Sequence, residues 1–196
     1  MQLSLLRTLF LTAIGLLIIV GCDLIDSSDE SASQEDVLMP IAEGNAWEYE
    51  STIPDDRGGA LAATGATRTI DGRVFDEVNG GLFFGFLYVH QDEEGLYFSA
   101  EEGDIEEIDM FFRYPIEDGA NYVHTNVYGS FPVTVSESSI IVPAGNFETI
   151  AYEIGGDVED DLVIHFSADI GPVALVGIDE SGNEIWRFQL VSYDVR

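Results

Sequence analysis

One thiol, three imidazoles and 37 carboxylates are the side chains of this 196-residue chain best placed to do chemistry. Cys22 is the only cysteine, so it has no partner for a disulfide or a thiolate metal site. His90, His124 and His165 fall in three separate predicted strands with no H-x-H or H-E-x-x-H spacing, which reads as three ordinary strand histidines. The acidic runs Glu101–Glu107 and Asp157–Asp161 offer oxygen ligands, the donor type calcium takes. Neither follows the EF-hand spacing, and such runs are most often solvated surface. The compact set Asp157, Glu159, Asp160 and Asp161, just after Gly155-Gly156, is the candidate for weak calcium binding; no other cofactor is expected. A carboxylate-dependent hydrolase would need two acids at a set separation. With 37 acids present, finding a pair in the sequence decides nothing. The chain has no lysine, which excludes P-loop and Schiff-base chemistry, and no G-x-S-x-G elbow. The aromatics crowded between positions 82 and 114 give one candidate ligand pocket, Phe84, Phe86, Tyr88, Tyr97 and Phe112, although buried aromatics more often serve packing.

The elements around Cys22 give its thiol a role. Arg7 precedes a twelve-residue apolar run, Leu9 to Val20, and Ile19-Val20-Gly21-Cys22 closes it. A membrane span needs about 20 apolar residues, so the run is too short for one. The stretch resembles the lipobox of bacterial lipoprotein signal peptides. That resemblance implies cleavage between Gly21 and Cys22, a diacylglycerol on the Cys22 thiol, and a membrane anchor in the cell envelope outside the cytoplasm. The chain then divides into a signal peptide (1–21), an acidic flexible tether (22–36) and a globular domain (37–196). Removing 1–21 takes away one of seven arginines and no acid, so the net charge becomes 6 − 37 = −31. Nucleic acid is excluded as a partner by that charge. Self-repulsion of this size is relieved by salt, since the Debye length is only about 3 Å at 1 M. The acids spread along the whole chain, so the composition reads as adaptation to high salt.

From Trp47 onward the pattern is short strands and Gly-rich turns. Period-two alternation begins at Trp47–Ser51, and further runs follow at 82–90, 96–98, 110–114, 122–128, 131–135, 139–142, 147–154, 162–166, 173–178 and 185–195. Ala60–Ala66 lacks an apolar stripe and reads as a loop, and Glu101–Asp109 as one acidic turn. The fold expected is all-β, an antiparallel sandwich or an open or closed barrel of about ten strands. One motif occurs twice: Pro40-Ile41-Ala42-Glu43-Gly44-Asn45-Ala46-Trp47 and Pro115-Ile116-Glu117-Asp118-Gly119-Ala120-Asn121-Tyr122 share Pro-Ile-x-acid-Gly-x-x-aromatic. Proline fixes φ, glycine permits a tight turn, and the aromatic enters a strand, so each copy should open a β-meander.

The first copy, with Glu48-Tyr49, resembles the opening of an uncharacterised family of bacterial envelope lipoproteins. Val142-Pro143-Ala144-Gly145-Asn146-Phe147 is similar to a second segment of that family, and Asp169–Val173 more loosely to a third. The resemblance implies a β-rich fold and an envelope address, and brings no catalytic activity. The function expected is non-enzymatic: a binding or scaffolding module for an envelope protein, a glycan or an apolar ligand. Its alternatives are a carrier holding an apolar molecule such as a lipid in a curved sheet and, second, the carboxylate-dependent hydrolase. Raising NaCl from about 0.1 M to about 1 M should raise the thermal midpoint of unfolding by several degrees, because the screened repulsion is worth at least about 1–2 kcal/mol. A midpoint in differential scanning calorimetry that does not move with salt would remove the case for salt adaptation.

Overall fold

Twelve antiparallel strands form a single sheet that curls into a nearly closed barrel. The computed structural model describes residues 37–80, 86–100, 110–126, 128–155 and 161–196, and only the backbone of Phe86, Leu87 and Ala100. In chain order the strands are β1 (Ala46–Ser51), β2 (Gly59–Ile70), β3 (Arg73–Asn79), β4 (Phe86–Asp92), β5 (Gly95–Ala100), β6 (Met110–Arg113), β7 (Asn121–Asn126), β8 (Gly129–Val142), β9 (Gly145–Ile154), β10 (Asp161–Ser167), β11 (Gly171–Ile178) and β12 (Glu184–Asp194). The order across the sheet is β6-β5-β4-β3-β2-β1-β12-β11-β10-β9-β8-β7. Two six-stranded meanders are therefore joined at β1 and β12, where Ala46 lies opposite Asp194 and Ser51 opposite Phe188.

The repeated motif opens both meanders with the same turn. Gly44 and Gly119 adopt φ of +88° and +76°, conformations that side-chain-bearing residues rarely take. Asn45 N donates to Ala42 O at 2.9 Å, and Ala120 N to Glu117 O at 3.1 Å. Gly44 N reaches Ala63 O on β2, and Gly119 N reaches Val135 O on β8, at 3.0 and 2.9 Å. In return Ala63 N donates to Asn45 O and Val135 N to Ala120 O. Trp47 and Tyr122 then enter β1 and β7 as buried aromatics.

Alternation sorts the side chains. Leu96, Phe98, Met110 and Phe112 face the interior, whereas Tyr97 and Phe111 face outward and join a second, smaller apolar cluster with Ile70, Phe75 and Tyr88. Inside, Phe112 packs against Tyr152 and Phe166 with ring centroids 5.1 Å apart in each case, and edge-on to Phe98 at 5.6 Å. The buried polar tips have partners: Trp47 Nε1 donates to Ile170 O at 2.6 Å, and the Tyr49 hydroxyl to Pro172 O at 2.7 Å.

Between β6 and β7, side chains replace the ladder. The Tyr122 hydroxyl donates to Phe111 O at 3.0 Å and accepts from Arg113 N at 3.4 Å, and the Tyr152 hydroxyl of β9 donates to Arg113 O at 2.7 Å. The free edge of β6, which would otherwise present unpaired polar groups, is thus capped by phenols.

A strap closes the end of the barrel at which β1 begins. Leu38 and Met39 are 0% and 2% exposed. Val37 O accepts from Asp169 N at 2.8 Å, and Met39 N donates to the Gln91 side chain of β4 at 3.1 Å. Met39 lies against Gly171, where an added Cβ would stand 3.3 Å from Met39 Cγ and 3.4 Å from Trp47 Nε1. The β8–β9 hairpin reaches over the same end, with Ala144 N donating to Leu190 O of β12 at 3.0 Å.

Two expectations change. Ala60–Ala66 is not a loop but the first half of β2; its small residues carry no apolar period because the β2–β3 register shifts between Ala63 and Thr67. The count rises from about ten strands to twelve because β3 is unexpected as well as β2, and this outweighs the merging of the runs at 131–135 and 139–142 into one 14-residue strand, β8. The expected turn at 101–109 and the start of the run at 82–90 lie outside the described residues. Replacing Tyr152 by Phe should cost about 1–2 kcal/mol, because it leaves Arg113 O buried without its donor. Urea denaturation would show this as a lower midpoint with an unchanged slope, whereas Tyr193→Phe on the exposed surface should leave the midpoint in place.

Candidate functional site

The five aromatics of the candidate pocket do not share one lining. Phe112 is an interior residue at 1% exposure, while Tyr88 and Tyr97 sit on the outer face at 8% and 4%. Phe84 lies outside the described residues, and Phe86 is described only as the first residue of β4. The interior aromatics of this region face one another rather than a cavity, as the near-zero exposure of Phe112, Tyr152 and Phe166 requires.

On the outer face, β2 to β6 build a strip that the sequence reading did not assemble. Phe75 of β3 packs against His90 of β4 (5.4 Å), His90 against Tyr97 of β5 (5.7 Å), and Tyr97 stacks on Phe111 of β6 at 4.4 Å and 18°. Arginines cover two of the rings, Arg68 over Tyr88 at 5.5 Å and Arg73 over Tyr97 at 4.5 Å, while Arg113 lies over the inward Tyr122 at the β6–β7 seam at 4.8 Å. Two of the six arginines that follow Cys22 are spent on the strip, in a chain where acids outnumber bases by five to one. Arg73 also stands 3.8 Å from both Asp92 and Glu94, and His90 Nε2 lies 3.3 Å from Asp92 Oδ2. The Tyr97 hydroxyl donates to Glu94 at 2.9 Å. Desolvation first, then that hydrogen bond, push the phenol above its ordinary range, so at neutral pH Tyr97 is a fixed donor. Asp76 of β3, opposite the interior residue Val89, is also raised, by desolvation against a smaller opposing effect of His90. The signal for this strip was present in the sequence: Tyr97 and Phe111 are aromatic at the outward positions of strands whose inward positions are already filled.

The other sequence candidates stay apart. His124 is buried in β7, and His165 of β10 faces outward at 3.2 Å from Thr149 Oγ1. Asp161 begins β10 half-buried; its companions Asp157, Glu159 and Asp160 lie outside the described residues, as do Gly21 and Cys22. Among the described residues no group of three or more His, Cys, Asp or Glu converges on a metal-sized site. Burial pushes the phenols of Tyr49 and Tyr152 up, and Tyr122 up to about 12; all three are held in hydrogen bonds that join separate parts of the barrel. Asp179 is lowered by amide donors from Asn183 and Ser181, which fix the β11–β12 turn. These groups act as structural ties.

No protein-family model matches the sequence, and no curated protein matches it. Among the crystal structures similar to it in fold are two of bacterial proteins. One is a lipoprotein candidate from Parabacteroides distasonis, 14% identical with a TM-score of 0.45. The other is an exported-protein candidate with a YmcC-like fold from Bacteroides fragilis, 11% identical with a TM-score of 0.49. In both cases 81% of this chain and 99% of the other are covered.

His165 offers a direct electrostatic test. Burial, then the nearby Arg187 charge, lower it to about 4 from an ordinary 6.5, against the direction in which a chain of net charge −30 would move it. The folded state binds this proton less tightly than the unfolded state, so the neutral imidazole's contribution is complete above about pH 6.5. It is lost as pH falls through about 4. Proton NMR should place the His165 titration near that value, and His165→Gln should flatten the fall of stability between pH 6.5 and 4. A titration near 6.5 would contradict the buried placement.

Proposed function

We propose that this chain is a lipid-anchored protein of the bacterial cell envelope that works by binding or scaffolding rather than by catalysis, in high salt. The observation that carries the reading is the strap. The residues that directly follow the proposed tether, Val37 to Met39, are built into the end of the barrel, so the body that the anchor would hold is rigid from its first residues. The lipobox-like stretch ending in Cys22 supplies the anchor. The groups with displaced protonation serve hydrogen bonds that hold walls and turns, which suits a recognition body better than a reaction centre. The surface available for recognition is the outer face, where the Arg-covered aromatic strip is the most differentiated region. The carrier alternative needs an apolar cavity lined by the aromatics between positions 82 and 114, of which Phe98 and Phe112 are in ring contact with each other.

Cys22→Ser should abolish acylation and move the protein from the membrane fraction to the soluble fraction after cell disruption, with the barrel still folded by circular dichroism. A Cys22→Ser protein that still sediments with membranes would defeat the lipoprotein reading.

A further inference from the structure

The first hairpin of the second meander stands out by what it lacks. From Gly119 to Ser136, 18 consecutive residues include no Asp, Glu, Lys or Arg, in a chain with 37 acids. This stretch holds all of β7 and the first half of β8, and His124, its one titratable side chain besides tyrosine, is buried. The outer face of the hairpin presents three cross-strand pairs, Asn121 with Thr134, Val123 with Pro132 and Thr125 with Ser130. All six residues are exposed. Thr134 Oγ1 donates to Asn121 Oδ1 at 2.8 Å, and Thr125 Oγ1 and Ser130 Oγ share a hydrogen bond at 3.1 Å. The polar groups of this face satisfy one another sideways, which lowers the cost of removing water from above them. Val123, at its centre, is 62% exposed, and Tyr128 at the hairpin tip 65%.

We infer that this face is where two copies of the chain pack against each other. A second copy carries the same acidic coat, so like-charge repulsion keeps copies apart except where neither presents a carboxylate. The neutral face is bordered by exposed charges of opposite sign, Arg113 on β6 and Glu153 on β9, the latter opposite Thr134. A two-fold axis parallel to the strands sets Arg113 of each copy against Glu153 of the other, with the uncharged pairs between them. An isologous contact of this kind requires such self-complementarity. It is independent of the envelope reading.

The test uses the purified full-length protein in high salt with a short bis-maleimide, taking the wild-type chain as the baseline for Cys22. Val123→Cys places a thiol on the proposed face without touching the core, and Val74→Cys, at a residue 56% exposed on β3, places one elsewhere. Val123→Cys should give a cross-linked dimer at least tenfold above both Val74→Cys and the baseline. Adding Thr134→Glu should bring that yield down to the baseline while leaving the melting temperature unchanged. Equal cross-linking at both positions, cross-linking at neither, or a yield indifferent to Thr134→Glu would overturn the assignment.

Discussion

The pairing of β1 with β12 is the interaction on which the rest of this structure depends. Each six-stranded meander alone is an open sheet with two edges and one uncovered apolar face. Joining them at β1 and β12 makes one curved wall long enough to bring β6 back towards β7, and only then does a common interior exist. The inward residues of β1 secure the arrangement from inside, since Trp47 and Tyr49 both bond to carbonyls at the β10–β11 turn. Closure at the far seam does not need a ladder. Two phenols from β7 and β9 reach the edge carbonyls of β6, so the last gap is spanned by side chains of fixed length.

The charge distribution follows from the same wall. With one face of the strands committed to the interior, the acids of the described strands fall mainly on the outer face and the turns, where salt can screen them, with Asp76, opposite Val89, an inward exception. Arginines are too few to neutralise that surface, and two of them are instead laid over aromatic rings on the outer face of β2 to β6. A guanidinium over a ring covers apolar surface with its flat body while keeping its charge at the solvent edge. The second apolar cluster, which would otherwise stand bare on the outside of the barrel, is covered in this way.

Much of the architecture was legible because strand periodicity is a local property. The alternation at Trp47–Ser51 and the Pro-Ile-x-acid-Gly-x-x-aromatic repeat identified the openings of both meanders, down to the glycine of each turn. Ala60–Ala66 was not legible, because small residues beside a register shift leave no period to read. The candidate pocket was drawn too broadly for a related reason. Aromatics close in sequence alternate faces in a strand, so Tyr97 and Phe112 belong to opposite sides of one wall, and only pairing register shows which side is which. The phenol-capped seam was beyond reach, since it joins residues of β6, β7 and β9 through tertiary contacts alone.

The order of the strands has a consequence for when the chain can compact. Because the first strand pairs with the last, the wall stays unfinished until the C-terminal residues are available, and no early portion can seal its own edges. Such a topology postpones compaction, since the contacts that close the wall lie at the greatest separation along the chain. Only once β12 is free to pair can β1 find its neighbour and the interior shut.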